Sequence, residues 1–167
     1  SLVQFQMGDF PDKVRAALSD FDIPPASLSL EITESVFEGH SKKLLAQMHE
    51  LHDLGVRLSL DDFGTGYSSL LYLHRYPFDE VKIDRAFLRG LLEDSYSRDI
   101  VESVMKVSAA LDAGMVAEGV ESAEIAQALL KMGCTVGQGY YYSLPLESED
   151  FRWVLQKGSN LPLRRKP

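Results

Sequence analysis

The chain has 167 residues, 45% of them hydrophobic, and this size and composition predict one domain with a buried core. Its formal net charge of −8 excludes a basic face that would bind DNA or RNA without sequence preference. The single cysteine, Cys134, excludes an internal disulfide and is typical of a reducing compartment, so we expect a cytoplasmic location.

Strand and helix patterns alternate along the chain, which predicts a parallel sheet covered by helices. The predicted elements, in order, are a helix opened by Asp9, a strand at 28–33, a helix from Ser41 to Gly55, a strand at 57–61, a short helix at 68–73, a strand at 80–84, a helix at about 96–113, a strand at 115–118, a helix capped by Ser122, a strand at 135–138, and a closing helix capped by Ser148.

Side-chain alternation within the strands favours a barrel over an open sheet. Leu30 and Ile32 point one way and Glu31 the other, and the strands at 57–61 and 80–84 repeat this division into an apolar and a polar face. An open sheet between two helix layers needs two apolar faces, whereas a barrel places polar side chains in its lumen. A closed eight-stranded barrel usually needs at least ~200 residues, so we predict an incomplete α/β barrel.

Charged groups of the polar face stand where the strands end. They are Glu31, Asp61, Lys82 and Glu118, with Asp62 directly after Asp61. Because the carboxyl ends of parallel strands meet at one mouth, this pattern predicts a site for two Mg²⁺ or Mn²⁺ ions, with Asp61 bridging them. Three alternatives stay open: the paired aspartates form a turn or cap, Lys82 only pairs with Asp84 or Glu80, or Lys82 is the base of an enolate-forming enzyme.

Five segments resemble, in order and in residue type, the motifs of the EAL family of bacterial cyclic-di-GMP phosphodiesterases. They are EITES at 31–35, DDFGTGYSSL at 61–70, KID at 82–84, AEGVE at 117–121 and QGY at 138–140. The resemblance implies a modified (β/α)8 barrel of the TIM type that hydrolyses cyclic-di-GMP to linear pGpG.

The resemblance also implies roles for single residues. Glu31 and Asp61 resemble ligands of a first metal ion, and Asp61 with Asp62 ligands of a second. Lys82 resembles the lysine that contacts the nucleophilic water, and Glu118 a general base or metal-shell residue. The remaining positions resemble substrate-binding or outer-shell residues (Asp84, Glu121, Gln138) and a glutamate that steadies the 62–69 loop (Glu34). That loop and the helix after it imply a homodimer.

The chain departs from the family pattern at its start. The Glu-Ala-Leu tripeptide, the nearby substrate-binding arginine and an asparagine ligand do not occur in it. We therefore expect a partial EAL domain at 1–158 with a tail at 159–167, inactive by itself. The full protein is expected to carry the missing strands and attached sensory or GGDEF domains, and other domains could hold it at a membrane. The alternative is an inactive cyclic-di-GMP receptor or dimerising regulatory module.

Overall fold

Five parallel strands form the centre of the protein among the residues that the computed structural model describes, which are 2–37, 42–64 and 73–157. The strands are β1 (Ser29–Thr33), β2 (Arg57–Phe63), β3 (Glu80–Ile83), β4 (Gly114–Glu118) and β5 (Val136–Gln138). The helices are α1 (Leu2–Met7), α2 (Phe10–Asp20), α3 (Lys42–Asp53), α4 (Arg85–Leu88), α5 (Ser95–Ala110), α6 (Ala123–Met132) and α7 (Ser148–Lys157). Short 3₁₀ turns occupy Pro25–Ser27 and Glu34–Phe37.

Each strand pairs in parallel with the next strand in the chain, in the order β1-β2-β3-β4-β5. A doubly wound sheet would reverse its strand order at a switch point, whereas a barrel adds each strand beside the preceding one. The prediction of an incomplete α/β barrel is therefore confirmed. β1 and β5 are the two edges of the sheet, and within the described residues they do not pair with each other.

The apolar face of the strands is buried beneath helices, as the alternation predicted. Helix α3 packs on β2, and α5 packs on β3 and β4. The fully buried side chains at the centre of this layer come from both helices and strands and include Met48, Leu51, Leu58, Leu60, Val81, Ile83 and Val101. This layer holds the strands in register, so that their carboxyl ends lie at one rim.

Two local signals set the boundaries of α6. Ser122 accepts a hydrogen bond at its hydroxyl from the backbone N–H of Ile125, so the predicted cap is confirmed. Gly133 ends the helix in the left-handed conformation. Cys134, directly after it, is a buried core residue, and burial raises the pKa of its thiol.

Some apolar side chains on helical faces are not buried. The helical period puts Phe21 on one face with Val14 and Leu18, but Phe21 is 75% exposed, because α2 ends one residue before it. On α7, Phe151 and Leu155 are also mostly exposed, since that helix has no extensive contact with another described element.

Several predictions concern residues outside the described part of the chain. They are the cap at Ser41, most of the helix at 68–73 and the tail at 159–167. None of the helices that are described has the length and apolar character required to cross a membrane.

Candidate active site

Charged side chains from four neighbouring strands meet at the carboxyl rim of the sheet. The ammonium group of Lys82, on β3, lies 2.7 Å from Glu31 Oε1 of β1, 3.2 Å from Asp61 Oδ1 of β2 and 2.5 Å from Glu118 Oε1 of β4. The side chain of Lys82 is only 7% exposed. The structure thus brings together the four strand-end residues that the sequence singled out.

A bulge in β2 places two successive aspartates at this rim. Leu60 pairs with Val81 and Phe63 pairs with Ile83, so that two residues of β2, Asp61 and Asp62, lie opposite one residue of β3. Asp62 adopts a φ of 55°. In a regular strand, successive side chains point to opposite faces, so either Asp61 or Asp62 would point toward the helices. The extra residue of the bulge interrupts this alternation. Both carboxylates remain at the mouth.

Lys82 is held as a cation. Burial acts to lower its pKa, but the close contacts with Glu118, Glu31 and Asp61 outweigh burial and raise the pKa above the ordinary lysine value. A protonated amine cannot abstract a proton, which argues against enolate chemistry with Lys82 as the base.

The simple ion pair considered for Lys82 is also wrong. Glu80 Oε1 lies 3.5 Å from Arg57 Nη1, at the other end of the strand. Asp84 caps α4, where its Oδ1 accepts a hydrogen bond from Ala86 N at 2.8 Å. The partners of Lys82 come from other strands instead.

The donor set fits a divalent cation. Asp61, Asp62 and Glu118 each offer a carboxylate oxygen, and these three atoms lie within 4.8 Å of one another. Asp61 Oδ1 is buried and accepts no well-aligned hydrogen bond from the residues that the structure describes. Burial, then the charges of Asp61 and Asp84, raises the pKa of Asp62. A hard cation bound by these oxygens would satisfy the buried atom and relieve the repulsion.

Glu34 anchors the start of the loop that follows β2. It is 5% exposed, and its Oε2 accepts a hydrogen bond of 3.2 Å from Gly64 N. Gly64 has a φ of 91°, which favours glycine at this turn. The contact lies two residues beyond Asp62, and the loop-steadying role of Glu34 stays a prediction. The rest of the loop, and with it the predicted dimer surface, lies outside the described residues.

The three other predicted site residues surround the cluster without a described side-chain bond to it. Asp84 is near enough to raise the pKa of Asp62. Gln138 ends β5 opposite Glu118, and Glu121 follows β4, both with exposed side chains. Gly139, which follows Gln138, lies so close to the backbone of Val120 that a Cβ atom at position 139 would overlap that backbone.

One rim residue was not singled out by the sequence reasoning. Ser59 lies on the polar face of β2, two residues before Asp61, and is 1% exposed. Its hydroxyl has no hydrogen-bond partner among the described residues. The side-chain alternation of β2 places Ser59 on the polar face of the sheet. The sequence does not indicate that Ser59 is buried there, and only the structure shows it.

Comparison with known proteins gives a consistent result. The profile of the EAL domain matches residues 1–145. The chain is 40% identical over 149 residues to the bifunctional diguanylate cyclase/cyclic di-GMP phosphodiesterase MucR of Pseudomonas aeruginosa. That match covers 89% of the chain and 22% of MucR, so the chain spans about a fifth of this relative.

Solved structures agree in fold. The MucR phosphodiesterase in complex with c-di-GMP matches with a TM-score of 0.84 and 40% identity, covering 90% of this chain and 61% of that one. The EAL domain of Mycobacterium smegmatis DcpA matches with a TM-score of 0.85 and 37% identity, covering 90% and 68%. A calcium/cyclic-di-GMP complex of Klebsiella pneumoniae BlrP1 matches with a TM-score of 0.73 and 29% identity, covering 81% and 34%.

Proposed function

The chain belongs to the EAL domain family, and from this premise we propose that it is the larger part of a metal-dependent phosphodiesterase domain that hydrolyses cyclic-di-GMP to linear pGpG. The observation that carries the proposal is the convergence of Asp61, Asp62 and Glu118, whose oxygens lie within 4.8 Å of one another beside a buried cation, Lys82.

The chain supplies oxygen ligands for two divalent ions, Mg²⁺ or Mn²⁺. Asp61 and Glu31 would hold one ion, and Asp61 and Asp62 the other, with Glu118 contributing to the same oxygen-rich surface. Two such ions, when bound, activate a water molecule and stabilise the charge that develops on the phosphate. Since the chain has a net charge of −8, an anionic substrate needs positive charge of this kind at the mouth.

Lys82 and Glu118 are the proposed catalytic residues. Lys82 keeps its proton, and its Nζ would orient the attacking water or a phosphate oxygen once a bound metal ion takes up one of its carboxylate partners. Glu118 Oε1, 2.5 Å from that ammonium group, would accept a proton from the water. Asp84, Glu121 and Gln138 form the surrounding rim, where the guanine bases and sugars of the substrate would lie.

Regulation would act through the loop after β2. Glu34 is fixed to Gly64, two residues past Asp62, so a change in the loop would reach the metal ligands directly. We propose that this loop and the helix after it pair two copies of the domain, and that sensory or GGDEF domains in the full cytoplasmic protein act on that pairing.

The test is hydrolysis of cyclic-di-GMP, followed by chromatography, with Mg²⁺ or Mn²⁺ and with chelator. The native protein that carries this chain is expected to form pGpG, and the 167-residue chain alone is expected to be inactive. A cyclic-di-GMP receptor that binds without turnover is the second candidate. Tight nucleotide binding by the native protein without pGpG would favour the receptor and contradict the phosphodiesterase.

A further inference from the structure

The ion pair between Lys82 and Glu31 crosses an entire strand. Lys82 is on β3 and Glu31 is on β1, with β2 between them, and yet Lys82 Nζ lies 2.7 Å from Glu31 Oε1. Since neighbouring strands are ~4.8 Å apart, the two side chains together span roughly 10 Å over the lumen face of β2.

Ser59 lies beside this crossing. Its Cα pairs with that of Glu31 on one side and with that of Glu80, two residues before Lys82, on the other. Ser59 shares its face with Asp61, because alternate residues of a strand point the same way. A line from Lys82 to Glu31 therefore crosses β2 between Ser59 and Asp61, on the face that carries the Ser59 hydroxyl, and Ser59 is 1% exposed.

Hydrogen bonding does not account for a serine at this position. The Ser59 hydroxyl is buried without a partner among the described residues, and an unsatisfied buried hydroxyl costs stability. Lys82 has three N–H donors, and three carboxylates already lie within 3.2 Å of it. Small size is the property of serine that the site uses.

We propose that Ser59 is a positioning residue for the hydrolysis proposed above: its short side chain leaves the space through which Lys82 reaches Glu31, Asp61 and Glu118 at once. A larger, branched side chain would stand in that space and turn the ammonium group away from at least one carboxylate. Alanine would leave the path open. The catalytic consequence rests on the proposed function, whereas the placement of Lys82 does not.

The experiment compares Ser59→Ala, Ser59→Cys and Ser59→Val by the side-chain ¹⁵N and proton signals of lysine in the 167-residue chain. Lys82→Met identifies the signal of the shielded ammonium group. We expect Ser59→Ala to retain that signal, Ser59→Cys to shift it slightly, and Ser59→Val to shift or lose it while circular dichroism stays unchanged. If Ser59→Val does not fold, the comparison of Ser59→Ala with Ser59→Cys still reports how the side-chain volume at position 59 affects the Lys82 signal.

Turnover is then measured in the native protein. Ser59→Val is expected to lower kcat by ~100-fold with little change in KM, because a misplacement of about 1 Å has an effect of that order. Ser59→Ala is expected to stay within about threefold, since the path stays open. An unchanged ammonium signal in Ser59→Val, or in Ser59→Cys where Ser59→Val does not fold, would overturn the inference. An altered signal in a protein whose wild type makes no pGpG would support the positioning role and refute the phosphodiesterase.

Discussion

Asp61 and Asp62 are adjacent in the chain, and both direct a carboxylate oxygen to the same point, together with one from Glu118. The bulge between Leu60 and Phe63 makes this possible. Without it, regular alternation would send one of the two aspartates into the apolar layer beneath the helices. The bulge therefore concentrates negative charge at the rim, which favours cation binding and opposes folding when no cation is present.

Replacement of Asp61 by asparagine is expected to abolish binding of divalent ions and to lower turnover by at least ~10²-fold, since a carboxylate of the proposed metal site loses its charge. Isothermal titration with Mn²⁺ measures the first effect and pGpG formation the second. Asp12→Asn is the matched control, because Asp12 is exposed and pairs only locally with Arg15. Equal Mn²⁺ affinity in the two variants would contradict the assignment.

Replacement of Asp62 by asparagine is expected to stabilise the protein in chelator at pH 7. The pKa of Asp62 is raised on folding, by burial and then by Asp61 and Asp84, so the folded state favours the protonated carboxyl. Ionisation above that raised pKa penalises folding, and the penalty disappears below the ordinary value of about 3.9. Asparagine also tolerates the positive φ at this position.

Urea unfolding measures this effect. The midpoint of Asp62→Asn should exceed that of the wild type at pH 7 and match it near pH 3.5. Addition of Mn²⁺ should make the wild type more stable than Asp62→Asn, since only the wild type keeps the carboxylates of both Asp61 and Asp62. A variant less stable than the wild type in chelator at pH 7 would show that the carboxylate stabilises the fold.

Replacement of Lys82 by methionine is expected to cost about 3–5 kcal/mol of unfolding free energy at pH 7, because three carboxylates lose a buried cation. The pKa of Lys82 is raised, so its contribution is fully present below about pH 10 and is lost only as the pH rises through the raised value.

Lys13→Met is the control for that measurement. Lys13 Nζ lies 2.9 Å from Asp9 Oδ2, but both side chains are more than half exposed. Its removal should change the unfolding free energy by less than about 1 kcal/mol. Similar losses in both lysine variants would indicate a general charge effect instead of the buried cluster.

A side chain at position 139 is expected to destabilise the rim on the β5 side. The Cβ of Gly139→Ala would overlap the backbone of Val120, which cannot move without breaking its hydrogen bonds to Gln138 O and Tyr141 N. We expect a loss of about 3 kcal/mol, at the upper end for overpacking. In Gly114→Ala the atom nearest to the new Cβ would be Asp79 O at 3.6 Å, an ordinary contact. Gly139→Ala should therefore have a clearly lower thermal unfolding temperature than Gly114→Ala.

The apolar face of α7 is expected to contribute little to stability. Leu155 is 66% exposed, so Leu155→Ala should change the unfolding free energy by less than ~0.5 kcal/mol. The same substitution at the fully buried Leu51 should cost about 2–5 kcal/mol. A large loss for Leu155→Ala would mean that this helix packs on another surface in solution.

Much of the fold could be predicted from the sequence, because strand alternation and motif order are local properties. The polar face of Glu31, Asp61 and Lys82 followed from a period of two, and the structure brings those residues together. The strand that contains Asp61 extends to Phe63, beyond the predicted end. Its bulge could not be predicted, since an extra residue appears only when the strand is aligned with its neighbour.

The remaining errors share one cause. A helical period identifies an apolar face but not whether another element covers it, which is why Phe21 and Phe151 are exposed. The alternative that paired Lys82 with Glu80 or Asp84 is wrong, because three other strands supply its partners. The burial of a helix face and the partners of Lys82 both depend on how the elements pack in three dimensions, which residue spacing in the sequence does not predict.

The single ammonium group of Lys82 is shared by Glu31, Asp61 and Glu118, and through them it connects β1, β2 and β4 to β3. Displacement of any of these strands would change its contact with Lys82. Lys82 therefore couples the positions of four strands at the carboxyl rim of the sheet.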